Sequence, residues 1–400
     1  MNSRLIHGIL LVAGTSIGGG MLALPVTTGQ VGFYPSLGIY LACWLFMAST
    51  GLLFLEVSLW MKDGENIVSM AERTLGAFGK AVTWGLYLFL FYCLTLVYIV
   101  GMGNLFVQGF KGFIPLEDWQ GQVLFLLLFG PVVYAGTRVI SRLNLFLMLG
   151  LGISYVMFVF FGFTHVDSSY LTHTNWSRLW IALPVTFTSF AYQGIIPTLV
   201  DYMKRDAKQI RLAILIGSFL PFVAYTIWQW LILGVVPAEG PNSLAEAMRN
   251  GQNAVVPLKN LLDVPDIYLV GQCFAFFALV TSFIGVTLGL MDFLADGLKV
   301  EKTPSGRLGL SALILIPPLM VAFAYPHVFL TALGYAGGFG CALLLGLLPV
   351  AMVWVGRYHM GLTGEYRFFG GRLLLGIFAL FVAFELFCEV AVIAGFVGHG

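Results

Sequence analysis

Two stretches of this sequence combine a helix break with small polar side chains inside apolar surroundings. The first runs from Gly14 to Pro25 and includes three consecutive glycines, and the second runs from Phe187 to Pro197. Glycine costs about 1 kcal/mol and proline about 3 kcal/mol in a helix interior, so both stretches predict interrupted helices. An interrupted helix exposes backbone N–H and C=O groups, which can bind a charged ligand without charged side chains.

The exposed backbone groups suit a ligand that carries both a negative and a positive charge. The N–H groups of Gly18, Gly19 and Gly20 would form the positive end of a half-helix and bind a carboxylate. Glycine favours this contact because no Cβ keeps the ligand away from the backbone. Carbonyl groups that would bind an ammonium group are expected around Ala13, Gly14, Thr186 and Ser189. The two breaks therefore predict a site for an amino-acid zwitterion.

Side chains near the breaks extend this predicted site. Aromatic rings there could stack on an aromatic ligand, and Gln193 could bond a hydroxyl or an indole N–H. The alternative explanation is that a chain with 15% aromatic residues places some rings near any point. The predicted substrate-binding residues are Thr15, Ser16, Gly18, Gly19, Gly20, Tyr92, Phe187, Ser189, Phe190, Tyr192, Gln193 and Ser282.

The composition indicates that lipid surrounds the elements that carry these residues. Hydrophobic residues make up 59% of the 400-residue chain and charged residues 10%, whereas a soluble domain has about 25% charged residues. The net charge of +1 argues against a nucleic-acid partner. A membrane helix needs about 20 apolar residues. On this criterion we predict eleven spans, at 5–31, 33–60, 81–110, 122–137, 143–164, 179–201, 211–235, 267–296, 308–325, 329–355 and 373–397.

Basic residues predict the orientation of these spans. With the N-terminus in the cytoplasm, the outer segments hold Lys111, Arg178, Arg249 and Lys259, and the inner segments hold the other 16 of the 20 lysine and arginine residues. Such an excess is typical of cytoplasmic loops. We therefore expect a cytoplasmic N-terminus and a periplasmic C-terminus.

The positions of the two breaks predict an internal repeat. Pro25 and Pro197 are 172 residues apart, and the spans that contain them start 174 residues apart. We therefore expect one membrane domain, 1–400, with halves at 5–164 and 179–355 and an additional helix at 373–397. Five spans is an odd number, so the halves would have opposite orientations, and paired broken helices would mark a substrate site between them. The alternative is that glycine and proline simply allow close helix packing.

These motifs resemble the hydroxy and aromatic amino acid permease family of bacteria. The resemblance runs along the whole chain and is closest to the tyrosine-specific members. It implies a LeuT-type fold and import of an aromatic amino acid, tyrosine preferred, by cation symport across the inner membrane. The motifs are residues 14–25, 187–197 with Tyr202-Met203, 281–286 through Leu294-Ala295-Asp296, and 332–337.

The sequence departs from the family pattern at two positions. The family usually has alanine where Gly19 stands and often histidine where Gln193 stands. Because Gln193 is expected beside the side-chain pocket, tryptophan and phenylalanine also stay open as substrates.

The resemblance also implies a site for the driving ion. In LeuT-type folds a cation can lie between the first and eighth spans, and neutral oxygens suit a hard cation. The matching positions are the carbonyl groups of Gly14, Ile17 and Ala278 and the hydroxyls of Thr281 and Ser282. These hydroxyls could instead bond their own helix. The resemblance favours a proton over sodium as the coupling ion, and Glu56 is the first candidate to carry it.

Other classes of protein fit the sequence less well. A membrane-embedded enzyme would need a nucleophile with its base, or metal ligands, at membrane depth. No histidine falls in mid-span, and the only paired carboxylates are Glu385 and Glu389, whose role the sequence leaves open. A channel would not require two breaks in inverted register. We therefore expect a transporter that has a free amino acid and membrane lipid as partners and uses no cofactor beyond H⁺ or Na⁺.

Overall fold

The chain is described by a computed structural model in which every regular element is helical. The described residues are 3–62, 65–110, 113–135, 137–261 and 265–394, with side chains except at 137–145, 259–261 and 265–267. The α-helices are α1 (Ser3–Ser16), α2 (Gly19–Thr28), α3 (Phe33–Trp60), α4 (Ile67–Phe110), α5 (Asp118–Ala135), α6 (Thr137–Gly162), α7 (Leu183–Ser189), α8 (Ile196–Tyr202), α9 (Ala207–Val235), α10 (Leu244–Arg249), α11 (Val255–Leu261), α12 (Pro265–Gly297), α13 (Pro304–Ala324), α14 (Phe329–Tyr335), α15 (Leu348–Tyr358) and α16 (Gly371–Ile393).

The helices confirm a membrane protein of many spans. Within the described residues, nine helical stretches are long and apolar enough to cross a membrane, and the bent pair α1–α2 makes a tenth. The predicted fourth span, 122–137, overlaps α5 as far as Ala135, whereas Thr137 already begins α6. α5 is an 18-residue helix whose first turn holds the polar residues Asp118 and Gln120. These residues shorten its apolar length, so the count of eleven spans stays a prediction. The predicted eleventh span is helical to Ile393, and its last residues, 395–397, lie outside the described part of the chain.

The predicted interruption of the first span is confirmed. The helix α1 ends at Ser16, α2 begins at Gly19, and the two axes differ by 51°. Gly18 lies between them with an extended backbone, φ −161°. Pro25 inside α2 contributes no N–H to the helix, so the span is weakened on both sides of the glycines.

The predicted interruption of the sixth span is confirmed as well. Its first half, α7, ends at Ser189, and its second half, α8, begins at Ile196 after a short 3₁₀ turn over Gln193–Ile195. Proline stands in the first turn of each half, at Pro184 and Pro197, where its missing N–H would have no helical partner anyway.

The tenth span is irregular in a different way. A π-helical segment, Ala336–Leu347, joins α14 to α15, and such wide turns are rare and often occur at functional sites. The segment approaches α7 closely, because a Cβ on Gly337 would lie 2.5 Å from the Thr188 hydroxyl oxygen. The same hydroxyl donates to the carbonyl group of Leu333 at 2.9 Å. The tenth span is thus joined by backbone contact to the broken sixth span.

A buried ion pair fixes α3 to the C-terminal part of the chain. Nε of Arg357 in α15 donates to Oε1 of Glu56 at 2.7 Å, and a second guanidinium nitrogen donates to Oε2. The backbone N–H of Phe368 also donates to Oε2, at 2.7 Å, while the guanidinium donates to the Phe368 carbonyl group. Both side chains are at most 3% exposed. Glu56 is therefore held by three hydrogen bonds and a neighbouring positive charge.

Removal of the Glu56 charge should destabilise the protein strongly. In Glu56→Gln the Arg357 guanidinium stays buried without a counter-charge, which costs about 3 to 5 kcal/mol. We expect a clear fall in the melting temperature of the detergent-purified protein, and a smaller fall in the double variant Glu56→Leu with Arg357→Met. Glu365→Gln, at an exposed loop carboxylate, is the control. A melting temperature equal to that of the wild type in Glu56→Gln would contradict this account.

Candidate functional site

The two interrupted spans meet at their breaks, and three glycines bring them together with two further spans. A Cβ on Gly20 would lie 2.6 Å from the Ser189 hydroxyl oxygen and 2.9 Å from the Ser189 Cα. A Cβ on Gly19 would lie 3.0 Å from the Tyr98 ring in α4, and one on Gly18 would overlap the Ser282 hydroxyl in α12. The first-span glycines therefore contact α7, α4 and α12 at distances that only a residue without a side chain allows.

A tyrosine from a different span connects the two breaks. The Tyr225 hydroxyl in α9 lies 2.6 Å from the Ser16 carbonyl oxygen and 2.8 Å from the Ser189 carbonyl oxygen, as the donor to both. These carbonyl groups end α1 and α7, where helices carry unsatisfied acceptors and partial negative charge. Tyr225 is fully buried. One hydroxyl thus occupies the place where a cationic group would meet both broken helices.

The backbone groups predicted for the ligand are only partly free. The carbonyl group of Ala13 accepts from the Ile17 N–H at 3.1 Å, and that of Thr186 accepts from the Phe190 N–H at 3.2 Å. Ser189 is the one predicted carbonyl group that meets Tyr225. In the first turn of α2 the Met21 N–H donates to the Gly18 carbonyl group at 3.1 Å, whereas the N–H groups of Gly19 and Gly20 lie at the helix N-terminus, where the helix itself offers no acceptor. The break thus retains the donors that suit a carboxylate.

The predicted aromatic residues of the sixth span face two different directions. The Phe190 ring packs on the Tyr225 ring, with centroids 5.1 Å apart, and lies 6.2 Å from the Tyr40 ring. The Phe187 ring packs on Phe46 and Phe381, with centroids 5.3 and 5.7 Å away. Phe190 therefore lies beside the Tyr225 hydroxyl bridge, while Phe187 joins a cluster that includes α16.

Tyr192 and Gln193 hold the interrupted stretch against α3. The Gln193 amide nitrogen donates to the Met47 carbonyl group at 3.1 Å and to the Thr50 hydroxyl at 3.0 Å, and its oxygen accepts from the Tyr192 N–H at 2.9 Å. The Tyr192 hydroxyl donates to the same Met47 carbonyl group at 3.2 Å and packs against Gly51. Both polar ends of Gln193 are thus engaged with protein.

Two predicted residues of the first span bond their own helix. The Thr15 hydroxyl donates to the Leu11 carbonyl group at 2.7 Å and is exposed, and the Ser16 hydroxyl donates to the Val12 carbonyl group at 3.5 Å. Ser16 enters the site through its backbone carbonyl group instead.

The structure places Tyr92 away from the breaks and Tyr98 beside them. The Tyr92 hydroxyl donates to the Leu313 carbonyl group in α13 at 2.9 Å. Tyr98, two turns further along α4, is buried against Gly19 and interacts with the Ser282 hydroxyl. Sequence reasoning missed Tyr98 and Tyr225. Their residue type was a signal, but only contacts between distant spans distinguish them from the other tyrosines.

Two of the predicted cation ligands, Gly14 and Thr281, have protein neighbours of their own. Thr281 donates to its own helix, at 2.7 Å to the Phe277 carbonyl group and at 3.2 Å to that of Ala278. The Met148 methyl group of α6 lies 2.7 Å from the position of a Cβ on Gly14. The first and eighth spans are adjacent here, since Ser282 contacts Gly18. The Met148 side chain therefore lies beside Gly14, one predicted ligand, and the Thr281 hydroxyl is hydrogen-bonded to its own helix.

The two sides of the site differ in packing. On one side, the Tyr40 hydroxyl donates to the Gln229 side chain at 2.8 Å, and Gln229 donates to the hydroxyls of Thr28 and Ser36. We call these four residues the neutral cluster; it joins α2, α3 and α9. On the other side, Gly285 lies one turn after Ser282 in α12, is exposed, and has no atom within 4 Å of a Cβ position.

Comparison with known proteins identifies the family of the chain. The profile of the tryptophan/tyrosine permease family matches residues 1–398. The tyrosine-specific transport system 1 of Haemophilus influenzae is 31% identical over 93% of this chain and 93% of the relative. The tryptophan-specific transport protein of the same organism is 28% identical over 96% and 95%. Glutamine transporter 2 of Aliivibrio fischeri is 28% identical over 98% and 100%. With a match along almost its whole length, the chain belongs to the tryptophan/tyrosine permease family.

Proposed function

We propose that this protein is a secondary active transporter that imports aromatic amino acids, tyrosine preferred, by proton symport across the bacterial inner membrane. The observation that carries the proposal is the meeting of two broken helices at a point where both anionic and cationic groups find backbone partners. The sodium-coupled alternative, with a different range of amino acids, is kept as an outcome of the experiment below.

The packing of the spans supports an inverted repeat of the LeuT type. α1 packs against α9, and the sixth-span halves α7 and α8 pack against α3. α6 packs against α12, and the π-helical segment packs against α4. If spans one to five are superposed on spans six to ten, the contact of α1 with α9 corresponds to that of the sixth span with α3. The contact of α6 with α12 likewise corresponds to that of the tenth span with α4. This reciprocity is expected of two five-span halves related by a twofold axis, with α16 as an addition.

The proposed substrate binds through its backbone charges at the breaks. Its carboxylate would meet the N–H groups of Gly18, Gly19 and Gly20, which lie at the positive end of α2. Its ammonium group would replace the Tyr225 hydroxyl as the hydrogen-bond donor to the Ser16 and Ser189 carbonyl groups. In the empty transporter Tyr225 satisfies these buried acceptors, since an unpaired one costs about 1 to 3 kcal/mol.

The proposed side-chain pocket lies between the breaks and α4. Phe190 and Tyr98 offer aromatic surface beside Gly19 and the Tyr225 hydroxyl, which suits an aromatic side chain. Relatives carry names that specify tyrosine, tryptophan or glutamine. The tyrosine preference rests on the resemblance to tyrosine-specific members. Gln193 would act indirectly, because its amide holds the interrupted stretch to α3.

Proton coupling is the better supported choice of ion. The family resemblance favours it, and the predicted sodium ligands are partly engaged, with Thr281 bonded to its own helix and Met148 beside Gly14. Glu56 is a poor carrier, since a proton on it would leave Arg357 buried without a counter-charge. The proposed proton site must therefore lie elsewhere.

The proposed function is tested by uptake of labelled amino acids into proteoliposomes with proton and sodium gradients imposed separately. We expect tyrosine uptake to exceed that of tryptophan and phenylalanine, and to proceed in sodium-free buffer when the outside is more acidic. Under sodium coupling, a proton gradient alone would drive no uptake, and Thr281→Val would weaken the sodium dependence. Uptake that responds to neither gradient would contradict symport.

Tyr225→Phe should strengthen substrate binding. Loss of the hydroxyl leaves the Ser16 and Ser189 carbonyl groups unpaired only in the empty protein, so the Kd should fall about tenfold for a difference of about 1.4 kcal/mol. Equilibrium binding of labelled tyrosine to purified protein measures this. Tyr155→Phe is the matched control, because the Tyr155 hydroxyl likewise donates to the backbone, at the Ala224 carbonyl group, but lies outside the proposed ammonium site. An unchanged or raised Kd in Tyr225→Phe would show that the ammonium group binds elsewhere.

Gly20→Ala should abolish uptake by separating the two breaks. The added Cβ would meet both the hydroxyl and the Cα of Ser189, and the backbone of α7 cannot yield as a flexible side chain would. Gly152→Ala, at an exposed position of α6 with no atom within 4 Å, is the control and should transport like the wild type. Folding of both variants is compared by size-exclusion chromatography. Normal tyrosine uptake by folded Gly20→Ala would contradict close contact between the breaks.

A further inference from the structure

Two carboxylates lie on the inward face of α16, outside the proposed five-plus-five repeat. Glu385 is 0% exposed and Glu389, one turn later, is 4% exposed. The opposite face of α16 is apolar and exposed, as at Leu380, Phe384 and Phe387. The carboxylates therefore face the protein, away from the expected lipid.

Glu385 is a buried polar side chain without a hydrogen-bond partner. Neither carboxylate oxygen has one within the described part of the chain. A bare carboxylate in such surroundings costs several kcal/mol, whereas a neutral carboxyl group costs far less. This differs from Glu56, the other buried carboxylate described above, which has a counter-charge and three donors.

Among the described residues, the titratable groups that interact with Glu385 carry no positive charge. It interacts electrostatically with Glu389 and with the thiols of Cys43 in α3, Cys341 in the π-helical segment and Cys388. On two elements that pack against α16, Arg178 donates to the Gln30 side chain and Arg357 is paired with Glu56. A proton is thus the counter-charge that this site can accept.

Glu389 and Phe381, which flank Glu385 on α16, contact the elements that reach the breaks. The Glu389 side chain packs on the π-helical segment, where a Cβ on Gly338 would lie 2.6 Å from its Cγ. The segment meets α7 at Gly337 and Thr188. Phe381, one turn before Glu385, packs on Phe187 in α7. A change of charge on α16 would therefore act on the packing of the broken sixth span through two routes.

We propose that Glu385, with Glu389 beside it, is the proton-binding site that couples transport to the proton gradient. A proton from water on one side forms an O–H bond with a Glu385 carboxylate oxygen, and the same bond breaks when the proton leaves to water on the other side. No electrons are exchanged. This inference rests on the proposed proton symport and assigns it a carrier.

The test compares Glu385→Gln and Glu385→Asp in proteoliposomes. A one-unit pH gradient coupled to one proton supports an about tenfold accumulation. We expect Glu385→Gln to lose this accumulation but to keep gradient-free exchange of labelled tyrosine, because glutamine mimics the neutral carboxyl group. Glu385→Asp, which still titrates, should keep a response to the gradient. Normal accumulation by Glu385→Gln, or an equal loss of accumulation and exchange in folded protein, would overturn the proposal.

Infrared spectroscopy tests whether Glu385 carries a proton without a measurement of transport. We expect the wild type at neutral pH to show the carbonyl absorption of a protonated carboxyl group that is missing in Glu385→Gln. It should persist in Glu365→Gln, whose exposed carboxylate is the control. Its absence from the wild type between acidic and neutral pH would overturn the assignment. If the wild type imports no aromatic amino acid, the proposed function fails, and this absorption still shows whether Glu385 binds a proton.

Discussion

A membrane protein that interrupts a helix must satisfy the freed backbone groups without water, and the rest of this structure depends on that constraint. The two breaks meet the requirement jointly. The Tyr225 hydroxyl serves the carbonyl ends of α1 and α7 together, and the glycines of the first span let α7, α4 and α12 approach the same point. One hydroxyl thus satisfies backbone groups of both breaks at once.

The polar contacts around this centre divide into fixed and exchangeable ones. The Glu56–Arg357 ion pair holds α3 to α15. The Gln193 amide holds the sixth span to α3, and both its nitrogen and its oxygen are hydrogen-bonded. Tyr225, in contrast, uses one proton for two acceptors, and in the proposed function the substrate ammonium group replaces it. A transporter needs both kinds, because a rigid frame lets binding energy at one point become movement at another.

The two breaks were predictable from local chemistry, whereas the residues that contact them from other spans were not. Glycine and proline act on the backbone of their own span, so the ends of α1 and α7 could be expected from residues 14–25 and 187–197. The carrier role expected of Glu56 illustrates the opposite case. Its partner, Arg357, lies 301 residues away, and nothing near either residue reveals the pairing. Tyr98 and Tyr225 are two of 16 tyrosines, and the choice among them depends on tertiary contacts.

The neutral cluster of Tyr40, Gln229, Thr28 and Ser36 has a consequence for the environment in which the protein works. These four side chains join α2, α3 and α9 by hydrogen bonds between uncharged groups, each worth about 0.5 to 1.5 kcal/mol net. Separating them requires no ion to be stripped from its counter-ion. Dissolved salt screens charges but leaves such bonds almost unaffected. A change from dilute to saline surroundings should therefore leave the hydrogen bonds between these three helices almost unchanged.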